Sequence, residues 1–142
     1  MSTILEIANA NKSLTSMMKG VKASGLEETL NGIGPFTIFA PVNLAFSKLA
    51  PGVFDDLVKP ANKEKLSGIL SFHVIAAKKL KDNFSNGQKL MTINGRELSV
   101  TVKDDEVLIN GAKLLACNMQ GSNGVVHSMD AVNMPTEQIP VS

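Results

Sequence analysis

His127, Ser128 and Asp130 stand within four positions of one another, and Ser71 and His73 make a second hydroxyl–imidazole pair. Serine, histidine and carboxylate are the parts of a nucleophilic triad, in which the ring takes the hydroxyl proton and the acid orients the ring. Their spacing opposes assembly here. On a strand, alternation puts His127 on the face of Val125 and Met129, while Ser128 and Asp130 point to the other face. No Gly-x-Ser-x-Gly turn is present to lift a serine out of a sheet. A hydrogen-bonded core histidine is the simpler reading, and no catalytic residue is assigned.

Metal chemistry fares no better. Two His, the single Cys117 and scattered carboxylates show no ligand spacing such as His-Glu-x-x-His, so neither metal nor cofactor is expected. Cys117 falls between Leu115 and Met119 and reads as a thiol packed on the apolar side of a strand. Gly32-Ile33-Gly34 is the tightest glycine pair. It precedes Pro35 and a strand, whereas a phosphate cradle needs free N–H groups at a helix N-terminus. Lys78, Lys79 and Lys81 read as a solvated basic loop. Fourteen Lys and Arg against thirteen Asp and Glu leave a net charge of +1, and Arg96 is the only arginine. With six Phe and neither Trp nor Tyr, stacking platforms are scarce, and nucleic acid is not an expected partner.

The elements that must position these residues follow from periodicity. At 142 residues the chain makes one domain, expected over 1–135 with a polar tail at 136–142. Ile4, Leu5 and Ala8, then Leu14, Met17, Met18 and Val21, recur at helical spacing, and Thr3/Glu6 and Ser24/Glu27 have capping-box spacing. The methionines read as core filler or, alternatively, as the lining of an apolar pocket between helices and sheet in a carrier or sensor of small apolar ligands. Phe36–Ala40 reads as a buried strand closed by Pro41, with Asn43 as N-cap of a helix over Leu44–Leu49. A short helical turn over Val53–Val58 and a helix from Asn62 follow. Ser71–Ile75 fits either a strand or a helix end. Beyond it Leu98, Val100 and Val102 alternate with polar residues, and Asn94-Gly95 and Asn110-Gly111 are hairpin turns. The runs Lys89–Ile93, Glu97–Val102, Val107–Ile109, Lys113–Met119 and Val125–Val132 are expected to form one antiparallel meander. Helices first and strands later make an α+β domain.

The first ten residues show no basic segment followed by an apolar one, so no signal peptide is read in the given sequence. Gly32–Val42 is nearly apolar but too short to span a bilayer, and it contains Pro35 and Pro41.

Gly34-Pro35-Phe36-Thr37-Ile38-Phe39-Ala40-Pro41-Val42-Asn43-Leu44-Ala45-Phe46 resembles the first signature box of fasciclin domains. Asn123-Gly124-Val125-Val126-His127-Ser128-Met129-Asp130 resembles the second. Leu70-Ser71-Phe72-His73-Val74-Ile75 resembles the family's aromatic–histidine segment, with Phe72 in place of the usual Tyr, and Asn110-Gly111-Ala112-Lys113 resembles its penultimate turn. The four are in register from about Ile4 to Pro135. The resemblance implies a wedge of two mostly antiparallel sheets with an N-terminal helical layer. It also implies a non-catalytic, extracytoplasmic adhesion module, secreted, periplasmic or surface-anchored, that binds protein or polysaccharide of cell surfaces and matrix. Thr37, Phe39, Ala40, Pro41, Asn43, Phe46, Asn123, Gly124, His127 and Asp130 are then structural. Phe72, His73, Asn118 and Met119 are the expected partner-binding residues, while packing accounts equally for both segments, and His73, like His127, fits a polar group satisfied inside or at the edge of the core. Asn118-Met119 stands where integrin-binding relatives carry Asp-Ile, and a neutral amide cannot serve as a metal-directed carboxylate, so integrin-type binding is not expected.

Overall fold

A computed structural model describes residues 3–48 and 52–132. The expected tail over 136–142 and the last residue of the expected Leu44–Leu49 helix lie outside these. Helix α1 (Ile4–Asn9) begins with the Thr3/Glu6 capping box in place, and α2 (Thr15–Ser24) follows a 3₁₀ turn at Lys12–Leu14. The Ser24/Glu27 box does not form. Gly25, at φ 81°, ends α2 and starts α3 (Leu26–Leu30), and the Ser24 hydroxyl donates back to the Val21 carbonyl. Strand β1 (Phe36–Pro41) leads into α4 (Asn43–Ser47), then α5 (Val53–Leu57) and α6 (Lys63–Ser71). The ambiguous Ser71–Ile75 segment resolves as the end of α6, a turn at Phe72 and His73, and a two-residue strand β2 (Val74–Ile75).

Asn43 does not cap its own helix; it is the first residue of α4, behind Val42. Its amide instead reaches the preceding layer. Oδ1 accepts from the Ser16 N–H at 2.8 Å, and Nδ2 donates to the Lys12 carbonyl and the Thr15 hydroxyl. One of the N–H groups that begin α2, that of Ser16, thus finds its partner on another element.

The remaining strands are β3 (Lys89–Met91), β4 (Glu97–Lys103), β5 (Glu106–Ile109), β6 (Ala112–Lys113), β7 (Met119–Gly121) and β8 (Gly124–Met129). They do not make one meander. β3-β4-β5-β6 form an antiparallel sheet, whereas β8 crosses to the other sheet, ordered β2-β1-β8-β7, and runs parallel to β1. β8 is buried along its whole length, and such a strand finds its place in the middle of a sheet. The run Lys113–Met119 breaks because Leu115 is 48% exposed and Ala116–Asn118 are irregular, so Cys117 is a half-buried loop residue and not a strand residue. Single bridges at Ile75–Thr92 and Leu114–Met129 join the two sheets into the expected wedge.

Two cores result. One packs α1–α3 and α6 on the outer face of β1 and β8, around Leu14, Met17, Leu30, Ile38, Leu70 and Val126. Met17 and Met18 lie inside it, as filler. The other fills the wedge between the sheets, around Phe39, Phe84, Leu98, Ile109 and Met129. Fully burying an aliphatic or aromatic side chain of this kind contributes about 1.5–3 kcal/mol.

Candidate functional site

His127 is fully buried on β8, opposite Phe39 of β1. Its ring stacks on Phe39 with centroids 5.9 Å apart and meets Phe84 edge-on at 5.7 Å. Nδ1 accepts the backbone N–H of Asn118 at 3.0 Å, which leaves the proton on Nε2, where it is donated to the Lys79 carbonyl at 2.7 Å. Burial is the larger influence on its pKa and lowers it, against the raising effect of the Lys79 hydrogen bond. Both ring nitrogens are therefore committed to backbone, and neither is placed to take a proton from Ser128.

The loop that His127 holds is fastened twice more. The Thr37 hydroxyl donates to the Ala77 carbonyl and accepts the Lys79 N–H at 2.8 Å. Asn118, in the left-handed region at φ 61°, accepts the Lys81 N–H on its side-chain oxygen at 2.8 Å. Ser128 faces away, where its hydroxyl accepts the Ala116 N–H at 2.9 Å. Asp130 lies beyond the strand end and accepts the Lys113 N–H at 2.9 Å. The three residues that suggested a triad thus serve three separate backbone contacts.

His73 and Phe72 do not form an exposed contact surface. His73 is 0% exposed and its Nδ1 donates to the Ile69 carbonyl at 2.9 Å; burial takes its pKa from 6.5 to about 4, against the opposing effect of that bond. Phe72 is 3% exposed and contributes only the floor of a surface groove of about 620 Å³ beside Lys89, Met91, Arg96 and Asn110. Their burial follows from position, because the helix end and the start of β2 must cover the two cores. Asn118 is exposed and Met119 half-buried, so of the four expected contact residues these two alone reach the surface.

Asn123 joins the helical layer to the wedge. Its Oδ1 accepts the Ile4 N–H at 3.0 Å, and its Nδ2 donates to the carbonyls of Leu30 and Gly32. Next to it, Gly124 passes so close to Phe36 that a Cβ there would overlap the Phe36 carbonyl. Sequence reasoning missed other asparagine staples: Asn86 on the Val102 N–H, Asn94 on the Gly68 carbonyl and Asn110 on the Ser99 N–H. The available signal was an Asn-Gly pair in each case, read only as turn chemistry at Asn94 and Asn110 and not read at Asn86. Among the described residues no three His, Cys, Asp or Glu side chains gather as a metal site would require, and no helix is long and apolar enough to cross a membrane.

The comparisons with known proteins agree with this arrangement. Protein sll1483 of Synechocystis sp. (strain PCC 6803) is 38% identical over 133 residues, covering 94% of this chain and 73% of that protein. The cell surface glycolipoprotein MPB83 of Mycobacterium bovis is 36% identical over 113 residues, covering 80% of this chain and 49% of its own length. In fold, a solved FAS1 domain pair from the insect cell adhesion molecule Fasciclin I superposes with a TM-score of 0.84 at 18% identity, over 96% of this chain and 52% of that one. The family profile of the fasciclin domain matches residues 12–135, both signature boxes included, and the chain belongs to that family.

Proposed function

We propose that this domain is a non-catalytic adhesion module, displayed on a cell surface or secreted, which binds protein or polysaccharide partners by surface contact. One observation carries the reading. The side chains best suited to chemistry, His127, His73 and Ser128, are spent on backbone hydrogen bonds that hold the fold. Function then falls to the surface, and the surface of a fasciclin domain whose relatives include a cell surface glycolipoprotein suits adhesion. The contact region is read at the exposed turn and short edge strand from Asn118 to Ser122, where Gln120 is open to solvent and the backbone is anchored on His127. Phe72 and His73 support that region only through the packing of the wedge.

A single weak contact becomes useful adhesion when many copies are displayed together. Beads coated with the domain are expected to attach saturably to intact cells of the source organism or its neighbours. Gln120→Lys, confirmed as folded by circular dichroism, is expected to lower that attachment. Absence of attachment at every coating density overturns the reading, and undiminished attachment by the folded variant moves the contact elsewhere.

A further inference from the structure

We propose that the split between β2 and β3 is a strand-docking site, which takes an extended protein segment bearing acidic residues and pairs it with the free edge of β3. This rests on the adhesion reading for its purpose, but not for its geometry.

The two seams of the wedge differ. At the β6–β8 seam the Leu114–Met129 bridge is followed by backbone bonds from Leu115 to Ser128, from Ser128 to Ala116 and from Asp130 to Lys113. At the β2–β3 seam the Ile75–Thr92 bridge is accompanied by one bond, from the Ile93 N–H to the Val74 carbonyl. The Val100 N–H donates to Gln88 and the Thr92 N–H to Arg96, so the even-numbered residues of β3 face β4. By the alternation of an antiparallel ladder, Lys89 and Met91 turn their N–H and C=O groups toward the split. The bridge sets the Ala76 N–H toward the Met91 carbonyl; beyond it, among the described residues, no backbone bond joins Ala77 or Lys78 to Lys89.

The split therefore offers an unpaired strand edge above an apolar floor. It holds about 430 Å³, floored by Ile75, Ala77 and Leu90, with Met91 58% exposed at its rim. Such an edge is the template for strand addition: the ladder supplies affinity, and alternate side chains supply specificity. Charge selects the occupant. Lys79 and Lys89 line the split and no carboxylate does. A second copy docking through the same edge would set lysines against lysines. An acidic segment with small apolar residues at alternate positions fits both the floor and the rim.

The probe is the peptide acetyl-Glu-Val-Glu-Val-Glu-Val-amide, compared with its N-methylated form and with a version carrying Lys for Glu. Hydrogen exchange followed by NMR reads each amide separately. At about 1 mM peptide the Lys89 and Met91 amides are expected to exchange on the order of tenfold more slowly, with the β4 amides unchanged. Met91→Pro removes only an outward N–H, which an edge strand tolerates, and is expected to abolish the protection. Should that variant misfold, the N-methylated peptide makes the same test from the partner's side. Unchanged Lys89 and Met91 exchange, or equal protection by the N-methylated or lysine peptide, overturns the proposal. Bead attachment retained by folded Met91→Pro would overturn the docking site as a second adhesive contact, beside Asn118–Ser122, while leaving adhesion standing. Attachment absent in the unaltered domain, with peptide protection intact, would count against adhesion alone.

Discussion

Asn118 donates its backbone N–H to Nδ1 of His127, and this one bond decides which proton the imidazole carries. Protonating Nδ1 would set two donors against each other, beside a loop that also carries Lys79 and Lys81. Asp82, in the adjoining 3₁₀ turn, is the nearest acidic residue of that loop in sequence.

A pH dependence follows from His127 together with His73. In both rings burial disfavours the charged form, which moves His73 from 6.5 to about 4 and lowers His127 as well. Between those values the unfolded chain binds more protons than the fold, so stability rises with pH and is fully present above about 6.5. On acidification to pH 4 the His73 contribution lost is about 3 kcal/mol, with a further loss of the same sign from His127. Urea midpoints measured from pH 7.5 to 4 are expected to fall monotonically. His73→Gln should be less stable at neutral pH yet show a flatter profile, and an unflattened profile would rule out His73 as the source.

The close crossing of β8 and β1 gives the second prediction. Gly124 lies at φ 156°, and its missing Cβ is what lets the backbone meet Phe36. Gly124→Ala must push apart two strands that carry both cores, which puts the cost on the order of 4 kcal/mol or prevents folding. Gly111 makes the control: it has φ 86° but open space around it, so Gly111→Ala meets backbone strain alone and should cost about 1–2 kcal/mol. Chemical denaturation of the pair separates close approach from strain.

Elements with one dominant local signal were legible in the sequence. The Thr3/Glu6 box, the alternation of Leu98, Val100 and Val102 with polar residues, and the Asn110-Gly111 turn each depend on residues a few positions apart, and each forms as expected. One misreading was local, the Ser24/Glu27 box, where Gly25 in the left-handed region takes the cap position instead; the others were long-range. Nothing within β8 says that it pairs in parallel with a strand more than eighty residues earlier, because complete burial looks the same in either direction. Asn43 looks like a local cap, and only the folded layer shows that it serves α2. At the site, alternation correctly separated His127 from Ser128. A satisfied core histidine was one of the two readings of His73, and it is the one that forms; what no local pattern encodes is how two cores meet over the end of α6 and bury Phe72 with it.

Asn43 supplies a third test. Its amide satisfies the Ser16 N–H, the Lys12 carbonyl and the Thr15 hydroxyl, as a helix cap does, but from a different element. Asn43→Ala should therefore cost about 1–2 kcal/mol, the range of a lost cap, and loosen the start of α2 selectively. Hydrogen exchange is expected to speed up at Ser16 before it does in β1. Uniform acceleration along both elements would mean that Asn43 acts on global stability and not as a cap.

Asn123 is expected to be the costliest asparagine to remove. It is 6% exposed and serves three backbone groups: the Ile4 N–H at the start of α1, and the Leu30 and Gly32 carbonyls that end α3. Asn123→Ala leaves these without their partner, the Ile4 and Leu30 groups in buried positions, so the cost sums to about 3 kcal/mol or more. Asn123→Asp restores the acceptor for Ile4 but turns a carboxylate toward two carbonyls. It should therefore be no better than alanine, although it differs from asparagine by a single group. Measured urea stabilities that place aspartate near wild type would mean the two Nδ2 bonds contribute little, and that the link between helical layer and wedge runs through Ile4 alone.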